Sequence, residues 1–200
     1  MGMVTMDKIL LFPVLIMRKE NFLNKKECNE IVKISKKQNL KKHNELEGKS
    51  SSFHDLNSNF LIFIEKYLIN KLLLCLDEYA EQSGLHTLDI SNSWINKQNK
   101  DSVLKKHCHP GSIVSGVIFL KCNELSSKLY FYDPNPFNNF TNYKKLTNFN
   151  YRDVSVKPNI GDLILFPSWL MHGSDNEKNK SNERLVLSFN TKYYENTQNK

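Results

Sequence analysis

Two histidines stand directly before an apolar run in the stretch KKHCHPGSIVSGVIFL, residues 105–120. The run is rich in Ile, Val and Phe, and this composition predicts a β-strand over residues 113–121. In an extended chain, side chains two positions apart point to the same side. We therefore expect His107 and His109 to lie side by side, as two of the three ligands of a metal site, with Cys108 on the opposite side.

Two later motifs offer the remaining parts of such a site. The motif FPSWLMHG contains His172, which is the obvious third ligand, and the motif ERLVLSFN contains Arg184 at the start of a predicted strand. Each residue also has an ordinary interpretation. His107 and His109 could form an exposed strand end beside two lysines, His172 could be a core residue, and Arg184 could lie on the surface. The order of the motifs along the chain favours one joint site.

The composition is that of one globular domain. The chain has 200 residues, of which 40% are hydrophobic, and this is enough for a sizeable core. No apolar run is long enough to span a bilayer and the first residues lack a secretory-signal pattern, so we expect no membrane partner. The four cysteines contain no C-x-x-C pair, which favours reduced thiols and a cytoplasmic location. The net charge of +7 is spread along the chain, and no usual nucleic-acid-binding motif is present.

The first part of the chain, residues 1–84, predicts mostly helical support. Asn24 and Glu27 have the spacing of a capping box, which predicts a helix that ends near Lys37. A longer pattern of apolar residues at helical spacing covers residues 55–82. Neither predicted helix carries residues that suggest catalysis.

The segments around these helices predict less regular structure. Residues 38–52 are polar and predict a loop, and His43 and His54 are interpreted as solvated. The apolar run over residues 9–17 contains Pro13, which is typical of an edge strand.

The remainder, residues 85–200, predicts a β-rich core. Eight short β-like runs at roughly regular spacing suggest a sandwich or a jelly roll. The runs cover residues 88–96, 103–107, 113–121, 128–132, 151–156, 163–166, 168–172 and 185–192. Helices followed by strands predict an α+β, mainly β fold in which the helices cover one face of the sheets. The long loop over residues 133–150 could form a lid or contact a substrate.

From Trp94 to Asn190, the chain resembles the Fe(II)/2-oxoglutarate-dependent oxygenase superfamily. The resemblance rests on four motifs in order: W-x-N, H-x-H-P-x-S-x-x-S-G-V, F-P-S-x-L-x-H, and R followed by S-F-N. A group of oxygenases from marine bacteria and phages is similar in these motifs, and the Asn- and Lys-rich composition fits a phage source. The resemblance implies a single oxygenase-like domain over residues 1–200. Its fold would be a double-stranded β-helix (jelly roll) with the N-terminal helices packed on one face.

The resemblance also implies an activity, that of a 2-oxoglutarate-dependent dioxygenase that acts as a hydroxylase. The implied Fe(II) ligands are His107, His109 and His172. Arg184 would bind the far carboxylate of 2-oxoglutarate, because a guanidinium fork pairs with a carboxylate, and Ser188 and Asn96 would assist it. The prime substrate stays open among a protein, a nucleic acid and a metabolite, and so does the oligomeric state. The expected location is the cytoplasm, including that of a phage-infected host.

Position 109 departs from the pattern of the superfamily, which usually has Asp or Glu two residues after the first histidine. Three neutral ligands would leave the site one charge more positive, and Asp133 is the nearest carboxylate that could replace His109. Two alternatives therefore stay open. One is a non-catalytic or three-histidine metal-binding jelly roll that does not use 2-oxoglutarate. The other is a zinc hydrolase, for which no general base is evident and Arg184 would have no role.

Overall fold

The computed structural model describes residues 7, 11–42, 45–47, 50–53, 59–135, 137, 140–147 and 149–195. The helices are α1 (Lys25–Ser35) and α2 (Lys66–Ser83), and a short 3-10 helix lies at Phe60–Phe63. The strands are β1 (Met17–Lys19), β2 (Leu46–Glu47), β3 (Ser50–Phe53), β4 (Leu88–Asn99), β5 (Val103–Leu104), β6 (Val114–Lys121), β7 (Leu129–Tyr132), β8 (Asp153–Val156), β9 (Leu163–Pro167), β10 (His172–Gly173) and β11 (Glu183–Tyr193). None of the helices in these parts of the chain has the length and apolar content that crossing a membrane requires.

Two antiparallel sheets stack face to face and form the β-rich part. The larger sheet has the order β1-β9-β6-β11-β4-β3, and the smaller one has the order β10-β7-β8. Strands β2 and β5 pair separately. Buried residues of β7 pack against residues of β6, β9 and β11, so one hydrophobic cluster lies between the two sheets. The predicted jelly roll with helices on one face is confirmed.

Strand β11 shows how sequence alternation divides the core. Its odd-numbered residues join the cluster beneath α1 and α2: Leu185, Leu187 and Phe189. Val186 joins the second cluster, between the sheets. Burial of one side chain of this size contributes about 1.5–3 kcal/mol. Because neighbouring side chains of a strand point to opposite faces, the polar residues Arg184, Ser188 and Asn190 share the side of Val186.

The start of α1 and the end of α2 are each defined by capping residues in the sequence. Asn24 Oδ1 accepts the backbone N–H groups of Lys26 and Glu27 at 2.9 and 3.0 Å, and Glu27 Oε2 accepts the N–H of Asn24 at 2.7 Å. This confirms the predicted capping box, which contributes about 1 kcal/mol to stability. Helix α2 ends at Gly84, whose φ of +65° is favourable for glycine.

The predicted long helix over residues 55–82 is wrong over residues 59–65, where only the short 3-10 helix is present, because α2 begins at Lys66. Residues 55–58 lie outside the described residues. The Leu61 N–H donates to Ser93 Oγ on β4 at 2.9 Å, and Asn59 forms an isolated bridge with Ser93. These contacts attach the segment before α2 to the larger sheet. Helical spacing of apolar residues does not reveal such a distant partner.

The predicted strand over residues 168–172 is wrong except at its last residue. A turn follows Pro167, in which the Leu170 N–H donates to the Pro167 carbonyl at 3.0 Å, and β10 contains only His172–Gly173. The predicted strand over residues 103–107 is likewise shortened to Val103–Leu104. Its last residue, His107, pairs with His172 through an isolated bridge.

The polar segment over residues 38–52 was predicted to be a loop, and this is wrong at β2 and at the start of β3. Strand β3 pairs with the outer edge of β4, a position that requires backbone hydrogen bonds rather than apolar side chains. His43 and His54 lie outside the described residues. The edge strand predicted over residues 9–17 is wrong over residues 11–16, and only its last residue, Met17, lies in β1 at the edge of the larger sheet. Residues 9 and 10 lie outside the described residues.

Candidate metal centre

Backbone pairing brings the three histidines together. The N–H of His107 donates to the carbonyl of His172 at 2.9 Å, and the reverse bond has the same length. The N–H of His109 donates to the carbonyl of Ser168 at 2.9 Å, in the turn after β9. Residues far apart in sequence are therefore held at one end of the jelly roll by main-chain bonds, which do not depend on the histidine side chains.

The three imidazoles converge closely enough to share one ion. One ring nitrogen of each histidine lies within 4.8 Å of the others. The ring centroids of His107 and His172 are 4.4 Å apart, and those of His109 lie 5.1 and 5.0 Å from them. Because metal–imidazole bonds are about 2.1 Å long, this spacing is close to the span that one ion bridges.

Hydrogen bonds on the outer side of the rings define which nitrogen faces the centre. Nδ1 of His107 lies 2.7 Å from the Lys105 carbonyl, and Nδ1 of His172 lies 2.8 Å from the Leu170 carbonyl. A carbonyl oxygen can only accept, so both Nδ1 atoms carry the proton and both Nε2 atoms carry the lone pair. Nδ1 of His109 lies 2.6 Å from Asn190 Oδ1. This is the arrangement that orients histidine ligands in metal sites.

The surroundings of His107 and His172 favour the uncharged form of both rings. Burial lowers the pKa of His172 well below its ordinary value of 6.5, and His107 and His109 lower it further. Burial also lowers the pKa of His107, although its bond to the Lys105 carbonyl acts in the opposite direction. Neutral imidazole is the form that binds a metal, so these two rings need lose no proton near neutral pH.

No carboxylate joins the three histidines among the residues that the structure describes. Asp133, which could have replaced His109, instead accepts the backbone N–H of Asn135 at 2.9 Å. It therefore acts as the turn-former that was the first interpretation of its place before Pro134. The cluster is an all-imidazole set, a donor type that suits Fe, Zn, Cu and Ni.

The second feature of the site is the buried side chain of Arg184, which is only 3% exposed. Its Nη1 donates to Gln98 Oε1, and its guanidinium lies 5.3 Å from the centroid of the Phe119 ring. Arg184 Nε and Gln98 Nε2 are buried donors without a hydrogen-bond partner, and no ion pair links Arg184 to a carboxylate in the described part of the chain. Burial lowers the pKa of Arg184 to about 10, which still leaves it cationic at neutral pH.

Strand pairing explains why Arg184 and the histidines face one narrow cavity. On the adjacent strand, Gln98 is the partner of Arg184, and Asn96 is the partner of Val186. The cavity is lined by all the residues predicted for the site, namely His107, His109, His172, Arg184, Ser188 and Asn96. Sequence reasoning missed Gln98 and Asn190, although each lies two positions beyond a predicted residue on the same strand face.

A wider cleft leads from the histidines to the surface. Its volume is about 500 Å³, and its walls include Asn92, Trp94 and Asn96 of β4 together with His107 and His109. Trp94 stacks on the His109 ring with a centroid distance of 5.5 Å. The cleft is within the size range of ligand sites, so a second molecule has room beside the three imidazoles.

Residues 92–190, from β4 to β11, match the model of a protein family described as "Putative 2OG-Fe(II) oxygenase". This range contains all six predicted site residues. Among curated proteins, none matches the chain in sequence.

Solved structures with this fold include three proteins at low sequence identity. A 2OG-Fe(II) oxygenase family oxidoreductase from Burkholderia pseudomallei is 13% identical with a TM-score of 0.63, over 90% of this chain and 86% of that chain. HygX from Streptomyces hygroscopicus, with nickel and 2-oxoglutarate bound, is 13% identical with a TM-score of 0.60, over 90% and 83% of the two chains. The viral collagen prolyl hydroxylase from Paramecium Bursaria Chlorella virus-1 is 12% identical with a TM-score of 0.57, over 90% and 96%. These similarities support the jelly-roll fold.

The family match indicates a 2-oxoglutarate-dependent oxygenase, which is an oxidoreductase with Fe(II) and 2-oxoglutarate as its cofactors. The residues fit both groups. Three imidazoles with the lone pairs of two turned inward suit a metal, and a buried cation beside orphaned donors suits a carboxylate. The narrower resemblance to the oxygenases of marine bacteria and phages stays a prediction.

Proposed function

We propose that this chain is an Fe(II)- and 2-oxoglutarate-dependent hydroxylase. His107, His109 and His172 hold the iron through Nε2, and Arg184 binds the far carboxylate of 2-oxoglutarate. The observation that carries the proposal is a fully buried guanidinium in the same cavity as three converging imidazoles. The fold likeness to the viral collagen prolyl hydroxylase supports hydroxylation as the reaction.

The environment of Arg184 favours the binding of an anion. Leaving a charged group buried without a counter-ion costs several kcal/mol. The adjacent carboxylate, Glu183, faces the other side of the strand, where it pairs with Lys97 and Lys121 at 2.9 and 2.8 Å. Both orphaned atoms near Arg184, its own Nε and Gln98 Nε2, are donors. A carboxylate is acceptor-only and can satisfy both of them at once.

Ser188 and Asn96 lie between the two ends of the cavity. Along the paired strands β11 and β4, both residues lie between the Arg184–Gln98 pair and Asn190. Asn190 in turn contacts His109. Asn96 is 8% exposed, and its Oδ1 is buried without a partner. A molecule that extends from Arg184 to the imidazoles therefore passes both side chains, as the assignment of Ser188 and Asn96 to 2-oxoglutarate requires.

When bound, Fe(II) and 2-oxoglutarate would activate O2, the oxidant, for hydroxylation of a C–H bond, with 2-oxoglutarate oxidised to succinate and CO2. The chain would position these two groups and exclude water from them. Phe166 packs edge-on against His172 with centroids 4.6 Å apart, and Leu129 and Val186 complete an apolar wall. This wall keeps water from the inner end of the cavity, and the prime substrate enters through the polar cleft on the other side.

A second candidate is a three-histidine metal-binding module that does not use 2-oxoglutarate. The all-imidazole cluster favours it, because no described carboxylate supplies the usual anionic ligand. It leaves the buried Arg184 without an explanation, and we therefore place it second. The cytoplasmic location and the phage-infected host inferred from the sequence stay predictions.

Anaerobic titration of Fe(II) and 2-oxoglutarate into metal-free protein separates the two candidates. The chelated keto acid is expected to give a visible charge-transfer band. Arg184→Ala should lose the band at the same 2-oxoglutarate concentration while it still binds metal. The matched control is Arg152→Ala, since Arg152 is exposed and lies outside the cavity. Metal binding without a band in the unaltered protein would reject the 2-oxoglutarate reaction and leave the second candidate.

A further inference from the structure

Asn190 connects His109, the proposed ligand at the position where the superfamily usually has Asp or Glu, to the rest of the fold. It is 7% exposed, and it lies where the pairing of β11 with β4 changes register, between Asn190 and Thr191. Asn190 itself is still in register, so alternation places its side chain on the same side of β11 as Val186 and Ser188. Here the side chain reaches His109, with Oδ1 at 2.6 Å from Nδ1.

Two buried serines continue from Asn190. Ser115 Oγ on β6 donates to Asn190 Oδ1 at 2.7 Å and lies 2.8 Å from Ser168 Oγ. Both serine residues are at most 1% exposed. Ser168 also accepts the backbone N–H of His109 through its carbonyl. The His109 ring is therefore linked to β11, to β6 and to the turn after β9.

The direction of each hydrogen bond in this chain can be assigned. Asn190 Oδ1 is an acceptor only, so it receives one proton from Ser115 and one from Nδ1 of His109. Ser115 has a single proton and has already donated it, so Ser168 must donate to Ser115. With its proton on Nδ1, neutral His109 has its lone pair on Nε2. An Asn190 amide in the opposite orientation would present a donor to Nδ1 and place the proton on Nε2, where it blocks metal binding.

We propose that Asn190 is a positioning residue for the metal centre, which holds His109 in the Nδ1–H form and directs Nε2 at the ion. The inference rests on the proposed function. It explains how this chain uses an imidazole where related motifs have a carboxylate. A carboxylate coordinates in either orientation, whereas an imidazole at this place needs an acceptor behind it. Asn190 supplies that acceptor, and the same Oδ1 atom also accepts the hydroxyl proton of Ser115.

The test compares two substitutions at position 190 in the full chain. Co(II) is titrated into the metal-free protein, and both the dissociation constant and the visible Co(II) spectrum are recorded. Asn190→Ala should weaken binding about 10- to 100-fold and change the spectrum, because outer partners of metal-bound histidines have effects of this size. Asn190→Asp, which offers only acceptor oxygens, should bind Co(II) at least as tightly as the unaltered protein.

The matched control is Asn92→Ala. Asn92 is the cross-strand partner of Asn190 and lines the same cleft, and it should leave the Co(II) affinity unchanged. If Asn190→Ala does not fold, as judged by its circular dichroism, Ser115→Ala and Asn190→Asp provide the comparison. Ser115→Ala should weaken Co(II) binding and Asn190→Asp should not.

Two results would overturn the inference and leave the proposed function in place. One is an Asn190→Ala protein with unaltered Co(II) affinity and spectrum. The other is equal weakening by Asn190→Ala and Asn190→Asp, which would indicate a packing effect. Failure of the unaltered protein to bind Co(II) or Fe(II) at all would reject the proposed function itself, and the inference with it.

Discussion

The two ends of the cavity differ in whether the protein satisfies its own N–H donors. At the histidine end, Nδ1 of each ring has an oxygen partner at 2.6–2.8 Å. At the other end, Arg184 Nε and Gln98 Nε2 are buried without partners. The first end is organised before any ligand arrives, and the second is left incomplete. Since unsatisfied buried donors cost about 1–3 kcal/mol each, the incomplete end indicates where a ligand completes the structure.

The two ends also differ in the free-energy cost of burying their side chains. Neutral imidazoles can be buried with little penalty once their protons are bonded, and burial lowers the pKa of His107 and His172 in the direction that keeps them neutral. A guanidinium stays charged, because even a pKa of about 10 lies far above neutral pH. The metal end should therefore be stable without its ion, whereas the arginine end should gain stability from an anion. The predictions below test this contrast.

The largest expected effect is on metal affinity, at the organised end. His172→Ala removes a direct ligand and should weaken Co(II) binding by more than about 100-fold, beyond the effect of changing an outer partner. The stability of the metal-free protein should fall as for other buried truncations, by about 2–4 kcal/mol. Isothermal titration calorimetry and urea unfolding measure the two quantities. His86→Ala is the control, because His86 is exposed and lies outside the cavity. Equal Co(II) affinity in both variants would exclude His172 from the metal site.

The incomplete end should respond to the cosubstrate. In the presence of a redox-inert divalent metal, 2-oxoglutarate at 100 times its dissociation constant should stabilise the protein by about 2.7 kcal/mol. Succinate, which has the far carboxylate but no keto acid to chelate a metal, should stabilise less at the same concentration. Thermal unfolding measures both. A chain that gains nothing from 2-oxoglutarate would not use the Arg184 end as proposed.

The sequence predicts the parts of this contrast that depend on neighbouring residues, but not the parts that depend on strand pairing. Alternation at i and i+2 predicted that His107 and His109 share a side, and it could have identified Gln98 and Asn190 if Asn96 and Ser188 had been extended by two positions. It could not show that these residues meet, because Asn96 and Val186 become neighbours only through strand pairing. The missing information is the register of β4 against β11, which depends on turns and on the whole buried face.

Distant contacts also caused the errors in the predicted elements. The helix was extended to residue 55 because its apolar spacing is helical, whereas Ser93 on β4 binds the backbone of Leu61. His172 was placed in a longer strand because Trp169 and Leu170 are apolar, whereas the bond from Leu170 to the Pro167 carbonyl closes a turn. That turn contributes to the proposed site, since the Ser168 carbonyl within it accepts the N–H of His109. Local propensity cannot predict a turn that is favoured by contacts with residues far away in the sequence.

Removal of the buried cation should stabilise the protein when no ligand is present. Arg184→Met has similar length and no charge, so it removes the cost of an uncompensated buried charge, which is several kcal/mol. This gain should outweigh the loss of about 1–3 kcal/mol from Gln98 Oε1, which loses its donor. Urea unfolding of the metal-free protein without 2-oxoglutarate gives the free energy. The same variant should lose the stabilisation by 2-oxoglutarate. A clear loss of stability in the metal-free Arg184→Met protein would mean that the guanidinium is already compensated, and the contrast between the two ends would fail.

The smallest expected effect is at the carboxylate next to Arg184 in sequence. Burial raises the pKa of Glu183, but its bonds to Lys121 and Lys97 outweigh this and give a net decrease from 4.5. A lowered folded-state pKa means that the pairing stabilises the protein above about pH 4.5 and that this contribution is lost as the pH falls through the folded value. Glu183→Gln should therefore cost about 0.2–1 kcal/mol at pH 7, within the range of surface ion pairs, and nearly nothing once the pH lies below the folded-state pKa. Urea unfolding at the two pH values measures the difference, with Glu124→Gln as the control at a more exposed pair. If Glu183→Gln instead altered the binding of 2-oxoglutarate, Glu183 would interact with Arg184 across the strand, and the two faces of β11 would not be separate environments.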